Sequence, residues 1–254
     1  MSDILIRHEE SIAVIAFDRL AKKNSITASM YAQLAAALND AAAQIAVRCV
    51  VIHGHPTIFS AGNDIGDFLK DPPSGDDAPV FQFLQAISGF PKPIVAAVCG
   101  PAVGIGTTLL MHCDLVYAGD NALFALPFVN LGLCPEAASS LLLPMRIGWQ
   151  RAAGALLLGE SFNAAQALEW GLVNRVLEPD TVYDQAMLSA RSLAAKPLSS
   201  LIETKRLMKA SLRQPVTQAM AEEAIRFRHM LREPAAIEAF SAFSERRKPD
   251  FSKF

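Results

Sequence analysis

The chain has 254 residues and a mass of 27.4 kDa, enough for one large α/β domain or two small ones with a core that needs neither disulfides nor metals, so a disordered tail or a small stapled scaffold is excluded. It is 52% hydrophobic and 19% charged, and 23 Lys+Arg against 25 Asp+Glu leave a formal charge of −2, which excludes a mainly electrostatic nucleic-acid binder. The charges are unevenly spread: residues 1–92 hold 17, residues 146–254 hold 28, and the 53 residues between hold three, Asp114, Asp120 and Glu136.

Residues 4–7 and 12–17 read as two short strands around His8-Glu9-Glu10-Ser11, a hairpin. Thr27 caps a helix running to about residue 46, with Met30, Leu34, Leu38 and Ile45 near helical spacing. Residues 49–53 form a buried strand, followed by a turn-rich segment from His55 to Asn63 and a helix starting near Asp64. Asp71-Pro72-Pro73-Ser74-Gly75-Asp76-Asp77 reads as a flexible loop, a lid or insertion rather than a domain boundary. A strand at 94–98, a helix at 104–112 and a strand at 114–118 come next, with Asp114 and Asp120 at the ends of the last. After Val176 the chain turns helical, near 180–195, 197–211, 215–232 and 234–246, with amphipathic spacing. The expectation is an α/β core over residues 1–195 with a helical C-terminal region over 196–254.

The uncharged run from Pro93 to Cys113 is 21 residues long, enough to cross a bilayer. Pro93, Gly100, Pro101, Gly104 and Gly106 interrupt it and no basic cluster flanks it, so it reads as strand, turn and helix, with no membrane partner. The opening MSDILIRHEE carries charges where a signal peptide needs an apolar stretch. Cys49, Cys99, Cys113 and Cys134 have no C-x-x-C spacing and fit reduced thiols, and FSKF is not an address of the S-K-L kind. A cytoplasmic location is therefore expected.

Two segments join a strand to a helix with small residues, Phe59-Ser60-Ala61-Gly62-Asn63-Asp64 and Gly100-Pro101-Ala102-Val103-Gly104-Ile105-Gly106-Thr107-Thr108. The second has no lysine before its Ser/Thr and no G-x-G-x-x-G spacing, which demotes nucleotide binding. Two such turns, each presenting backbone N–H groups at a helix start, are the parts of a two-donor oxyanion hole. The plainer reading is an N-cap at Asn63 or Asp64 and glycines used for close packing. Glu136 is the only charge between Asp120 and Arg146 and is surrounded by Phe124, Phe128, Leu131 and Leu133, so a desolvated carboxyl suited to moving protons is expected there. Its plainer reading is that Pro135-Glu136 opens a helix, the acid complementing the dipole. His53 and His55 lack a third metal ligand, no metal site is expected, and His112 reads as packed in its helix.

Phe59-Ser60-Ala61-Gly62-Asn63-Asp64-Ile65, then Pro93-Ile94-Val95-Ala96-Ala97-Val98 with Gly100 to Gly106, then Cys113-Asp114, Gly171-Leu172-Val173 and Phe243-Ser244-Glu245-Arg246-Arg247-Lys248, resemble the enoyl-CoA hydratase/isomerase (crotonase) superfamily over essentially the whole chain. The resemblance implies a spiral of ββα units with a helical C-terminal trimerisation region, a homotrimer or hexamer, an acyl-CoA thioester substrate and no separate cofactor, coenzyme A being part of the substrate. It implies oxyanion donors at the Asn63 and Ile105 amides. Where hydratases carry two glutamates, this chain has Thr108 and Phe128, neither of which moves a proton. The stretch from Pro127 to Ser140 looks most like the peroxisomal-type delta-3,delta-2-enoyl-CoA isomerases, whose single acid/base matches Glu136. By the same resemblance Ala61, Asp64, Ile65, Phe68, Phe128 and Leu133 line the substrate site, while Lys22 or Lys23, Phe243 and Arg246 meet coenzyme A. The alternatives are a hydratase-like or other acyl-CoA enzyme, and a non-catalytic acyl-CoA-binding homologue in which Glu136 only caps its helix.

Overall fold

The computed structural model describes every residue except Met1, Asp71, Ser74 and Asp76. The expected loop at 71–77 therefore lies partly outside the described residues. The chain opens with β1 (Ile4–Glu9) and β2 (Ile12–Phe17), then α1 (Ala28–Ala43), β3 (Cys49–His53), α2 (Ile65–Lys70), α3 (Pro79–Ser88) and β4 (Ile94–Val98). A short β5 (Pro101–Val103) leads into α4 (Ile105–Thr108), followed by β6 (Leu115–Gly119), β7 (Leu123–Ala125), α5 (Ser139–Ile147) and α6 (Trp149–Leu157). Then come β8 (Phe162–Asn163), α7 (Ala164–Glu169), β9 (Arg175–Leu177) and four helices, α8 (Pro179–Ala194), α9 (Leu198–Lys209), α10 (Arg213–Met230) and α11 (Pro234–Ser244).

The large sheet has the order β1-β2-β3-β4-β6-β9, parallel throughout except for the β1–β2 hairpin. Val50, Val51 and Ile52 of β3 and Ile94 to Val98 of β4 are all buried, as strands covered on both faces require. Alternation along each strand divides them between two cores. Ala13, Ile15, Val50, Ile52 and Ala96 pack with α1 and α3 residues such as Leu34, Leu38, Phe83 and Ile87. Ile12, Val14, Val51, Val95 and Ala97 pack with Val182, Ala186 and Ala190 of α8. After β4 and again after β6 the chain leaves this sheet for a short strand of a second one, ordered β5-β7-β8. Ser60 pairs with Ala102 of β5, which pairs with Phe124 of β7, which pairs with Phe162 of β8. This recurrence of long strand, short strand and helix is the expected crotonase-type spiral. The C-terminal helices close over it, with Phe227, Ala236 and Phe240 in the same core as the α1 residues.

Three element boundaries differ from expectation. Thr27 caps α1, accepting from the Met30 amide at 3.3 Å, but the helix ends at Ala43 and Ile45 is 86% exposed. The reason lies 48 to 51 residues away: the buried Lys92 ammonium donates to the Ala41 and Gln44 carbonyls, each at 2.6 Å, and closes the helix C-terminus. The helix expected at 104–112 is α-helical only over Ile105–Thr108 and tightens to a 3-10 turn over Leu109–His112. Asp114 precedes β6, because its carboxylate accepts from the Ile94 amide at 2.8 Å and pairs with Lys205 at 2.6 Å. Lys92→Met is expected to remove the ammonium from the Ala41 and Gln44 carbonyls, the second of which keeps the Val47 amide at 3.1 Å, and to lower unfolding stability by about 1–3 kcal/mol, read as a lower urea midpoint.

Candidate active site

The pairing of Ser60 with Ala102 sets the two glycine-bearing turns side by side. The Phe59 and Ser60 amides donate to the Pro101 carbonyl, both at 3.1 Å, and the Val103 amide donates back to the Ser60 carbonyl at 2.9 Å. Approach is close at Gly62, φ +87°, where a Cβ would lie 2.8 Å from the Val103 oxygen. A Cβ on Gly106 would stand 3.1 Å from the Ser60 oxygen. Small residues are thus needed for contact between the turns as well as for their bends.

Asn63 pairs with Ile26: the Ile26 amide donates to the Gly62 carbonyl at 2.8 Å and the Asp64 amide donates to the Ile26 carbonyl at 2.9 Å. The Asn63 N–H therefore faces the other way. Ile105 opens α4, where first-turn N–H groups have no carbonyl within the helix. Among the described residues neither amide has an acceptor. The Asn63 side chain is held by the Tyr31 hydroxyl, which donates to Asn63 Oδ1 at 2.5 Å from the buried face of α1. Behind the turn, the buried Asn24 side chain donates to the Ile58 and Phe59 carbonyls, and the Ser60 hydroxyl donates to the Asn24 carbonyl at 2.8 Å.

Glu136 does not open a helix. Ala137 and Ala138 follow it with φ of +62° and +56°, and α5 begins only at Ser139. Two consecutive left-handed alanines are a strained turn. It is held from both sides: His112 Nε2 donates to the Ala137 carbonyl at 2.8 Å, and the Ala138 amide donates to Glu223 Oε2 at 2.6 Å. Glu223, from α10, also accepts from the Ser140 amide at 3.0 Å and the Ser140 hydroxyl at 2.5 Å, so the acid that caps α5 is Glu223. Glu136 is 6% exposed, and its Oε1 has no hydrogen-bond partner among the described residues. Burial, helped by the charge of Glu223, pushes its carboxyl up to about 8. Its surroundings are a cavity of ≈ 10 Å³, room for about one water, whose apolar lining includes Phe68, Val80, Phe81, Leu84, Met220 and Phe227.

The expected site residues fall into groups. Asn63 and Ile105 lie on the paired turns with Ala61, whose amide donates to the Lys23 carbonyl at 3.0 Å. Phe68 lines the Glu136 cavity. Ile65 packs on the same core, while Phe128 and Leu133 are buried within that core, and none of the three lines the cavity. Thr108 is fully buried, and its hydroxyl has no partner among the described residues. Asp64 is a structural acid: its carboxylate takes Arg19 at 2.6 Å, Ser25 at 3.1 Å and the Asp67 amide at 3.1 Å, which caps α2. The exposed side chains of Lys22, Lys23, Phe243 and Arg246 do not reach the Glu136 cavity of this chain. Tyr31, His112 and Glu223 were not foreseen as site residues. Among the described residues no three His, Cys, Asp or Glu side chains are grouped as metal ligands, and no helix is long and apolar enough to cross a membrane.

A family model described as Enoyl-CoA hydratase/isomerase matches residues 7–253. The chain is 34% identical over 250 residues to Enoyl-CoA delta isomerase 2 of Rattus norvegicus, covering 96% of this chain but 64% of that protein, just under two thirds of its length. It is 30% identical over 254 residues to 2,3-dehydroadipyl-CoA hydratase of Escherichia coli (strain K12), covering 99% of each. The solved structure of Pseudomonas aeruginosa OdaA matches with a TM-score of 0.94 and 49% identity, over 96% of this chain and 99% of that one. In the shared frame Gly62→Ala is expected to strain the turn and press a Cβ on the Val103 oxygen, lowering stability by about 1–3 kcal/mol in a denaturant titration.

Proposed function

The chain belongs to the enoyl-CoA hydratase/isomerase family, enzymes that act on acyl-CoA thioesters, and from that premise we propose that it moves the double bond of a 3-enoyl-CoA into conjugation with the thioester. The single observation behind this reading is the buried carboxyl of Glu136, its Oε1 without a partner among the described residues in a mostly apolar cavity, while the positions of the two hydratase glutamates hold Thr108 and Phe128. Relatives of similar identity include both isomerases and hydratases, so the choice between reactions rests on this acid/base inventory.

In the proposed reaction the Asn63 and Ile105 amides donate to the thioester oxygen, where negative charge grows as C2 loses its proton. The Glu136 carboxylate takes that proton. The electrons of the broken C2–H bond form the C1–C2 double bond of a dienolate. Reprotonation at C4 by the same carboxyl then leaves the double bond between C2 and C3 and restores the carboxylate. No water is consumed and no cofactor is required. A carboxyl raised to about 8 holds and releases a proton near neutrality, which suits a group that must do both in each turnover. Exposed Leu207, Met208, Ile225, Ile237 and Phe243 on the C-terminal helices support assembly into a trimer or hexamer through that region.

Wild type is expected to convert 3-hexenoyl-CoA to 2-hexenoyl-CoA and to leave 2-hexenoyl-CoA unhydrated, with Glu136→Gln slower by roughly 10²–10⁴-fold. Because the base must be ionised, kcat/KM should rise with pH to a midpoint near 8. Wild type that only hydrates 2-hexenoyl-CoA contradicts the reading.

A further inference from the structure

Glu223 combines three features that an ordinary helix-surface glutamate lacks. It is 7% exposed, both of its oxygens are taken by donors from one short segment, and it borders the same cavity as Glu136. The donors are the Ala138 amide, the Ser140 amide and the Ser140 hydroxyl, two and four residues after Glu136. Burial pushes the Glu223 carboxyl above the ordinary carboxylate value, and the three donors, which bond the ionised form, oppose that rise and favour the anion. A carboxylate that accepts from a helix N-terminus ordinarily needs no more than a local N-cap residue, yet here the cap comes from 85 residues away. The local chain has no cap to offer, because Ala138 stands at that position in the left-handed region.

We propose, resting on the function assigned above, that Glu223 is a positioning residue for Glu136: it pins the strained Ala137-Ala138 turn that presents the Glu136 carboxyl and stands as a fixed negative charge beside it. The other titratable groups facing Glu136 or its turn are uncharged near neutrality. Tyr31 from α1 is raised well above its ordinary value by burial and by the charge of Glu136. Cys134 of the same loop is pushed up to about 11 by burial. His112, against the Ala137 carbonyl, is pushed down to about 4 by burial. Glu223 is therefore the charge that acts on Glu136, while Arg226, on the same helix, is felt at Cys134. A like charge opposes ionisation of its neighbour, so Glu223 keeps the proton on Glu136 to higher pH than burial alone would.

Infrared difference spectra, wild type minus Glu136→Gln, follow the protonated Glu136 carboxyl against pH with no substrate present. The same subtraction on a Glu223→Gln background reads the effect of removing the charge. The midpoint is expected to move to lower pH, and kcat on 3-hexenoyl-CoA to fall on the order of 10²-fold with KM held within about threefold, as a displaced base requires. Glu223→Asp, which restores the charge one methylene short, is expected to return the midpoint and only part of kcat. A folded Glu223→Gln variant in which either the midpoint or kcat keeps its wild-type value overturns the proposal. If that variant does not fold, Ser140→Ala, which deletes one of the three donors, decides: a several-fold loss of kcat with KM unchanged supports the proposal, and wild-type kcat overturns it. Wild type without isomerase activity overturns the assigned function instead, and the infrared midpoint then decides the role of Glu223.

Discussion

The main-chain pairing of Ser60 with Ala102 is the constraint on which the rest of the molecule turns. It continues the ladder that runs through Phe124 to Phe162, and so ties the segment after β3 to the segment after β4 at the point where each turns into a helix. Neither turn presents a useful pair of amides alone. Locked together, with Gly62 against the Val103 oxygen, they leave the Asn63 and Ile105 amides without partners among the described residues. Such amides are costly in an interior unless something binds them. An anionic oxygen developing on a thioester is the complement the proposed chemistry supplies.

The second constraint is electrostatic. Between Pro93 and Met145 the chain carries three charges, and one of them, that of Asp114, serves the frame. Asp114 meets Lys205 and the Ile94 amide, while Asp120 is exposed just after β6. The third, Glu136, is left in an apolar cavity with another carboxylate for company. An acid placed this way contributes nothing evident to stability, since desolvation and like charge both oppose its ionised form. The strained turn beside it adds to the cost. Such a site persists where the surrounding structure over-determines it, here through His112 on one side and Glu223 on the other.

Much of this arrangement is legible in the sequence because it depends on residue type over short spans. Glycines after apolar strands, small residues before a helix and one acid in a charge desert are local signals, and each falls where the spiral needs it. What is not legible depends on distant partners. Tyr31 has no local signal of its role, because the partner that takes its hydroxyl, Asn63, lies 32 residues on. Glu223, on a C-terminal helix, has no local signal of a role at residues 138–140, which it meets only in the folded chain. The end of α1 is misjudged for the same reason, because a lysine in another segment stops it. Of the two readings of Asp64, the structure shows the N-cap: Arg19, Ser25 and the Asp67 amide at the start of α2 take its carboxylate.

The central claim is that one carboxyl handles both proton transfers on one face of the substrate. The most direct measurement is the fate of deuterium placed at C2 of 3-hexenoyl-CoA, followed by mass spectrometry at early conversion. A single base that takes and returns the same hydron predicts product carrying deuterium at C4. Product whose C4 hydron comes wholly from solvent, or a product bearing a new hydroxyl, contradicts the account.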